Sequence, residues 1–150
     1  MKVLYLEDRG DVARWSVKQP GSGIDFFWAQ DFIEADELLE KEGPFDAAIV
    51  DLGMDKKDLP PQLRKESGNQ LGGWVYYDKI LRMIPPLDKN TIFLSALLEE
   101  FTGSIPEDKI GELVLVDKGD ADAMSKVLTA LRQFDSKGKD KLKTGEAPHE

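Results

Sequence analysis

The chain has 150 residues, 41% of them hydrophobic, which suits one globular domain with a full-sized core. It contains no cysteine, so disulfides and thiolate metal sites are excluded and a reducing cytoplasm is the expected setting. A net charge of −9 argues against binding a nucleic-acid backbone; no apolar run is long enough to span a membrane, and Glu7 and Asp8 come too early for a secretory leader.

The first apolar run, Val3 to Leu6, predicts a strand that ends at the acid pair Glu7-Asp8. Arg9 to Gln19 reads as a short helix, with Val12 and Trp15 three apart and Pro20 after it. Ile24 to Ala29, rich in aromatics, predicts the second strand. Asp31 with Glu34 makes a capping-box-like start to a helix whose apolar stripe is Ala35, Leu38 and Leu39 and whose end is Gly43. Ala47 to Val50 then runs without polar interruption and stops at Asp51, the pattern of a strand buried on both faces of a parallel sheet. Such a strand delivers Asp51 to the carboxyl edge, where open α/β folds place their ligands.

Residues 54–70 are polar and carry Pro60-Pro61, which predicts an extended loop. Gly72-Gly73 opens a helix to about Ile84, with Trp74, Tyr77, Ile80, Leu81 and Ile84 at helical spacing before Pro85-Pro86. Thr91 to Leu94 predicts the fourth strand, ending at Ser95-Ala96, and Leu113 to Val116 the fifth, ending at Asp117-Lys118. Between them Leu97 to Gly111 reads as a broken helix, interrupted by Gly103 and Pro106. Asp120 can cap a last helix with Met124, Val127, Leu128 and Leu131 on one face. The domain therefore covers residues 1–134. Residues 135–150 lack an apolar period and read as a disordered tail; their four lysines and four acids cancel, so the acidity belongs to the folded part.

Strand and helix alternate about five times, which predicts an α/β domain: a doubly wound, mostly parallel sheet with helices on both faces. Four apolar runs then end along one edge in an acid pair, an acid, a hydroxyl and an amine. With those residues in view, the chain resembles the receiver domain of two-component response regulators over about residues 2 to 134. The resemblance rests on Glu7-Asp8, Asp51, the Gly73 that begins the helix after the long loop, Ser95-Ala96 and Lys118, in that order. It implies a flavodoxin-like five-stranded sheet of order 2-1-3-4-5, with Asp8 beside Asp51 and Asp51 as the phosphoacceptor.

The residue types suit that chemistry. A carboxylate attacking phosphorus is a covalent-catalysis device, and phosphoryl transfer needs mainly positioning and charge neutralisation. Three acids at one edge repel one another unless a cation joins them, and Mg²⁺ suits an all-oxygen site with few protein ligands. Asp8 and Asp51 are the expected direct ligands and Glu7 a water-mediated one; the carbonyl of Gly53 is the backbone ligand the family pattern implies. Lys118 would offset the carboxylate and phosphoryl charge, Ser95 would donate a hydrogen bond to the phosphoryl group, and the small Ala96 would leave room for the donor. The implied partners are a histidine kinase or phosphotransfer protein and a downstream protein target, for a stand-alone receiver that is not an enzyme beyond assisting its own phosphorylation and dephosphorylation.

Plainer readings accompany each residue. Asp51 alone could cap the turn after its strand, Glu7 could be a solvated strand-end acid, and Ser95 could satisfy local backbone. Asp117 should be solvated or paired away from Lys118, and Trp74 and Tyr77 should be core. His149, the only histidine, lies in the tail, which excludes histidine-based catalysis. The chain departs from the family at Gly119, where proline usually follows the lysine, at Leu115 in place of the usual aromatic, in the longer loop after Asp51, and in the ill-defined helix before the fifth strand. The departures at Leu115 and Gly119 motivate one rival, a receiver-like interaction module that does not switch and whose long loop is the docking element. A second rival, a Mg²⁺ phosphohydrolase with an aspartyl nucleophile, needs an Asp two residues after the first, where this chain has Gly53.

Overall fold

The computed structural model describes residues 1–10, 23–96 and 113–143. Strands β1 (Lys2–Leu6), β2 (Asp25–Ala29), β3 (Ala47–Asp51), β4 (Thr91–Ser95) and β5 (Val114–Asp117) form one sheet in the order β2-β1-β3-β4-β5. Every neighbouring pair is parallel. The α/β class and the strand order expected from the sequence are those observed.

Alternation along the strands divides the core in two. Leu4, Leu6, Ala48, Val50 and Phe93 face one side, where they meet Phe32, Trp74, Tyr76 and Tyr77. Val3, Tyr5, Ala47, Ile49, Ile92 and Leu94 face the other and meet Val127, Ala130 and Leu131. Helices α1 (Phe32–Glu42) and α3 (Gly72–Lys79) thus cover one face and α4 (Ala123–Lys143) the opposite one. Every residue of the central strand β3 is buried, so it carries no solvent-facing polar position. Trp74 and Tyr77 are core residues, as expected.

The start of α1 follows its capping chemistry. The Asp31 carboxylate accepts the Glu34 amide at 2.8 Å, and the Glu34 carboxylate accepts the Gln30 amide at 2.7 Å. Tyr76 ties α1 to α3 by donating its hydroxyl to Asp36 at 2.6 Å.

Four expectations need correction. The 54–70 segment is not a plain loop: it holds a 3-10 turn, Lys56–Asp58, and a short helix α2, Pro61–Glu66. Asp55 caps the turn by accepting the Lys57 amide at 2.9 Å, Pro61 takes the helix position that needs no N–H, and Met54 and Leu59 are buried anchors. Helix α3 stops at Lys79 rather than near Ile84 and tightens into a 3-10 turn over Leu81–Met83. The Pro85-Pro86 pair supplies no N–H to carry α-helical bonding further, and shorter bonds from Met83 to Ile80 and from Ile84 to Leu81 finish the element. Asp120 does not cap α4, which begins at Ala123; its carboxylate takes the Lys126 ammonium at 2.7 Å instead.

Finally, α4 runs to Lys143, so residues 135–143 of the expected disordered tail are helical. Lysine is a good helix former, and turns already packed on the sheet remove the nucleation cost of extending them. Residues 144–150, the helix expected over Leu97–Gly111, and all but Arg9 and Gly10 of that over Arg9–Gln19 lie outside the described residues. No helix among the described residues is long and apolar enough to cross a membrane.

Candidate functional site

The parallel register places the ends of β1, β3, β4 and β5 along one edge of the sheet. Leu6 pairs with Val50, Asp51 with Leu94, and Ser95 with Asp117, so Glu7 and Asp51 leave their strands level with each other, with Ser95 and then Lys118 a step further along the same edge. The Lys118 amide donates to the Ser95 carbonyl at 3.0 Å, which holds the turn after β5 against the end of β4.

Three side chains close the centre of the site. The Lys118 ammonium lies 2.6 Å from Glu7 Oε1 and 3.0 Å from Asp51 Oδ2. Glu7 has no exposed surface, and Asp51 is 6% exposed. Burial pushes the Glu7 carboxyl up to about 8; a hydrogen bond with Asp51 and the Asp51 charge act in the same direction, against the opposing effect of Lys118. Burial alone would lower the Lys118 ammonium, but the hydrogen bond to Glu7 and the charges of Asp51 and Glu7 outweigh it and leave it above the ordinary lysine value.

Asp51 has two occupations, one for each oxygen. Oδ1 accepts the Gly53 amide at 3.0 Å, which is the turn-capping role, while Oδ2 faces Lys118. The turn-capping role therefore leaves the second oxygen to Lys118. Asp8 is exposed, in contrast to Glu7, yet each of Glu7, Asp8 and Asp51 offers an oxygen within 4.8 Å of the others. An all-carboxyl set of that size matches a hard, oxygen-seeking divalent cation. Ser95 is buried at the end of β4 and Ala96 is exposed beside it. Asp117 points away, accepting the Gly119 amide at 2.8 Å, as expected for the residue next to Lys118.

The turn after β3 is held by close backbone approach. A Cβ on Gly73 would lie 2.4 Å from the Asp51 carbonyl oxygen, and one on Gly72 would lie 2.4 Å from that of Met54. The start of α3 is thereby pressed onto the turn that carries Asp51, a reason for glycine that spacing alone does not reveal. Beside the acids a cleft of about 380 Å³ opens, lined by Asp8, Asp31, Met54, Asp55, Lys57 and Asp58 among others. Asp31 and the 54–70 residues were not expected there, because their positions depend on how the segment folds back.

Trp28 also escaped sequence reasoning. Its indole N–H donates to the main-chain carbonyl of Glu7 at 2.6 Å across 21 residues of sequence. In the sequence it is one aromatic among several in a strand, and no local signal distinguishes it.

Solved structures of similar fold include response-regulator receivers. The receiver domain of Francisella response regulator 1452 is 23% identical over 91% of this chain and 98% of that one, with a TM-score of 0.59. A receiver domain protein from Clostridium thermocellum is 16% identical, covers 92% and 96% of the two chains and has a TM-score of 0.59. One from Sinorhizobium medicae is 17% identical, covers 89% and 93%, and has a TM-score of 0.57. No family model and no curated sequence matches the chain. The fold is that of a receiver domain.

Proposed function

We propose that this chain is a phosphoacceptor receiver of a two-component phosphorelay, phosphorylated on Asp51 in a Mg²⁺-dependent reaction and signalling through a partner protein. The observation that carries the reading is the partly buried Lys118 ammonium, 3.0 Å from Asp51 and 2.6 Å from Glu7, at the edge where Asp8 completes a group of three carboxylates.

In this reading an Asp51 carboxylate oxygen attacks the phosphorus of a phosphohistidine on a histidine kinase or phosphotransfer protein. The O–P bond forms as the P–N bond breaks, and the electron pair leaves with the imidazole nitrogen. Asp8 and Asp51 would hold Mg²⁺ directly, Glu7 through water and Gly53 through its carbonyl; the cation supplies charge neutralisation for the carboxylates and the incoming phosphoryl group. Lys118 is already against Asp51 and needs only a small displacement to meet a phosphoryl oxygen. Ser95, at the neighbouring strand end, would donate its hydroxyl to the phosphoryl group. The chain turns over no external substrate and works in the cytoplasm.

Signalling would follow from a partner whose affinity differs between the two states. Leu115, half-buried against the core that includes Trp74 and Phe93, is not an aromatic that could rotate to report phosphorylation. That observation favours an output surface other than the usual one, or a receiver-like module that does not switch.

Intact mass after incubation with Mg²⁺ and acetyl phosphate separates these. The expected result is one phosphoryl adduct on the wild type and none on Asp51→Asn. A folded wild type with Mg²⁺ present and no adduct overturns the phosphoacceptor reading and favours the non-switching module.

A further inference from the structure

The Glu7 main chain is held on both sides by the end of β2. Its amide donates to the Ala29 carbonyl at 3.0 Å, a bond any residue at position 29 could accept. Its carbonyl accepts the Trp28 indole N–H at 2.6 Å, a bond only a side chain of that reach and type supplies. The Glu7 carbonyl belongs to the peptide that joins Glu7 to Asp8. Fixing it fixes the plane from which the exposed Asp8 departs toward Glu7 and Asp51. The indole also lies over the following turn: a Cβ built on Gly10 would meet its Cη2 at 3.5 Å. Trp28 is nevertheless 39% exposed, a large apolar side chain kept at the surface of an edge strand. Core packing is therefore a poor account of its place.

We infer that Trp28 is a positioning residue for the cation site: its indole N–H orients the Glu7–Asp8 peptide and so presents the Asp8 carboxylate to Mg²⁺. The inference rests on the reading of Glu7, Asp8 and Asp51 as the cation site. A backbone-orienting hydrogen bond outside the ligand set typically alters metal affinity without altering which atoms bind. Loss of one such bond, worth about 0.5–1.5 kcal/mol, corresponds to about a two- to tenfold change in affinity.

Trp28→Phe keeps a ring on the same flank and deletes the N–H. In calorimetric titration with MgCl₂, W28F is expected to bind Mg²⁺ about two- to tenfold more weakly than wild type, while it remains folded in EDTA by circular dichroism. Asp8→Asn, titrated beside it, is expected to lose binding. An unchanged W28F affinity, with Asp8→Asn deficient, overturns the role of Trp28 and leaves the cation site standing. A wild type that takes up no Mg²⁺, or an Asp8→Asn variant that binds normally, overturns the site and this inference with it. Should W28F fail to fold, the wild type still decides: the Trp28 indole N–H resonance is expected to shift along the Mg²⁺ binding isotherm, and a resonance unmoved at saturation overturns the proposal.

Discussion

The Glu7 carboxyl sits without exposed surface between the Lys118 ammonium and Asp51, and burial raises it from 4.5 to about 8. Between those values the folded chain holds a proton that the unfolded chain releases, so this group's contribution to stability falls as pH rises from about 4.5 to about 8. In EDTA, the urea midpoint of the wild type is expected to drop between pH 5 and pH 8, and that of Glu7→Gln to drop less. Equal slopes in the two proteins would count against the buried acid as the cause. The Asp51 oxygens show why residue type alone left two readings open. A turn cap and a lysine partner are compatible because the carboxylate has two oxygens, and only the geometry distributes them.

Among the elements, β3 and the start of α3 form the support of the site, and their junction is set by backbone approach. Gly73→Ala would place a methyl 2.4 Å from the Asp51 carbonyl oxygen and 2.7 Å from Leu52 Cα, neither of which can move without shifting β3. The expected cost is about 1–3 kcal/mol by urea unfolding. Gly53→Ala is the control: its methyl would meet Asp51 Oδ1 at 3.7 Å, an ordinary contact, and its expected cost is within about 0.5 kcal/mol. Elements with a strong local signal were legible. The uninterrupted apolar run of β3 and the Asp31–Glu34 cap of α1 are examples. The 54–70 segment was not, because its turn and short helix are stabilised by contacts across the segment, such as Lys56 Nζ to the Gly68 carbonyl at 2.9 Å and the Arg64 guanidinium to the Lys57 carbonyl at 2.8 Å. The extension of α4 to Lys143 was illegible for a related reason: no apolar stripe marks it, and its helicity continues from turns packed on the sheet.

At the scale of the whole molecule, the proposed cation site gathers three carboxylates at one edge of a chain whose net charge is −9. A ligand that binds only the folded state stabilises it by mass action, by about 2.7 kcal/mol at a hundred times its dissociation constant. Addition of MgCl₂ is therefore expected to raise the melting temperature of the wild type and to leave that of Asp8→Asn nearly unchanged, when both are read by differential scanning calorimetry at constant ionic strength. The same rise in both proteins would assign the effect to general screening of the acidic surface.

The sequence by itself determined the five strands, their parallel alternation with helices, and the residues at the strand ends that meet along one edge. These follow from hydrophobic period and local end signals, which neighbouring residues carry among themselves. Only the tertiary structure decided that Lys118 stands closer to Glu7 than to Asp51, that Gly73 is pressed against the Asp51 carbonyl, and that Trp28 holds the Glu7 carbonyl. Each of these joins residues far apart in the chain, and register and packing across the sheet set such distances after the local elements have formed.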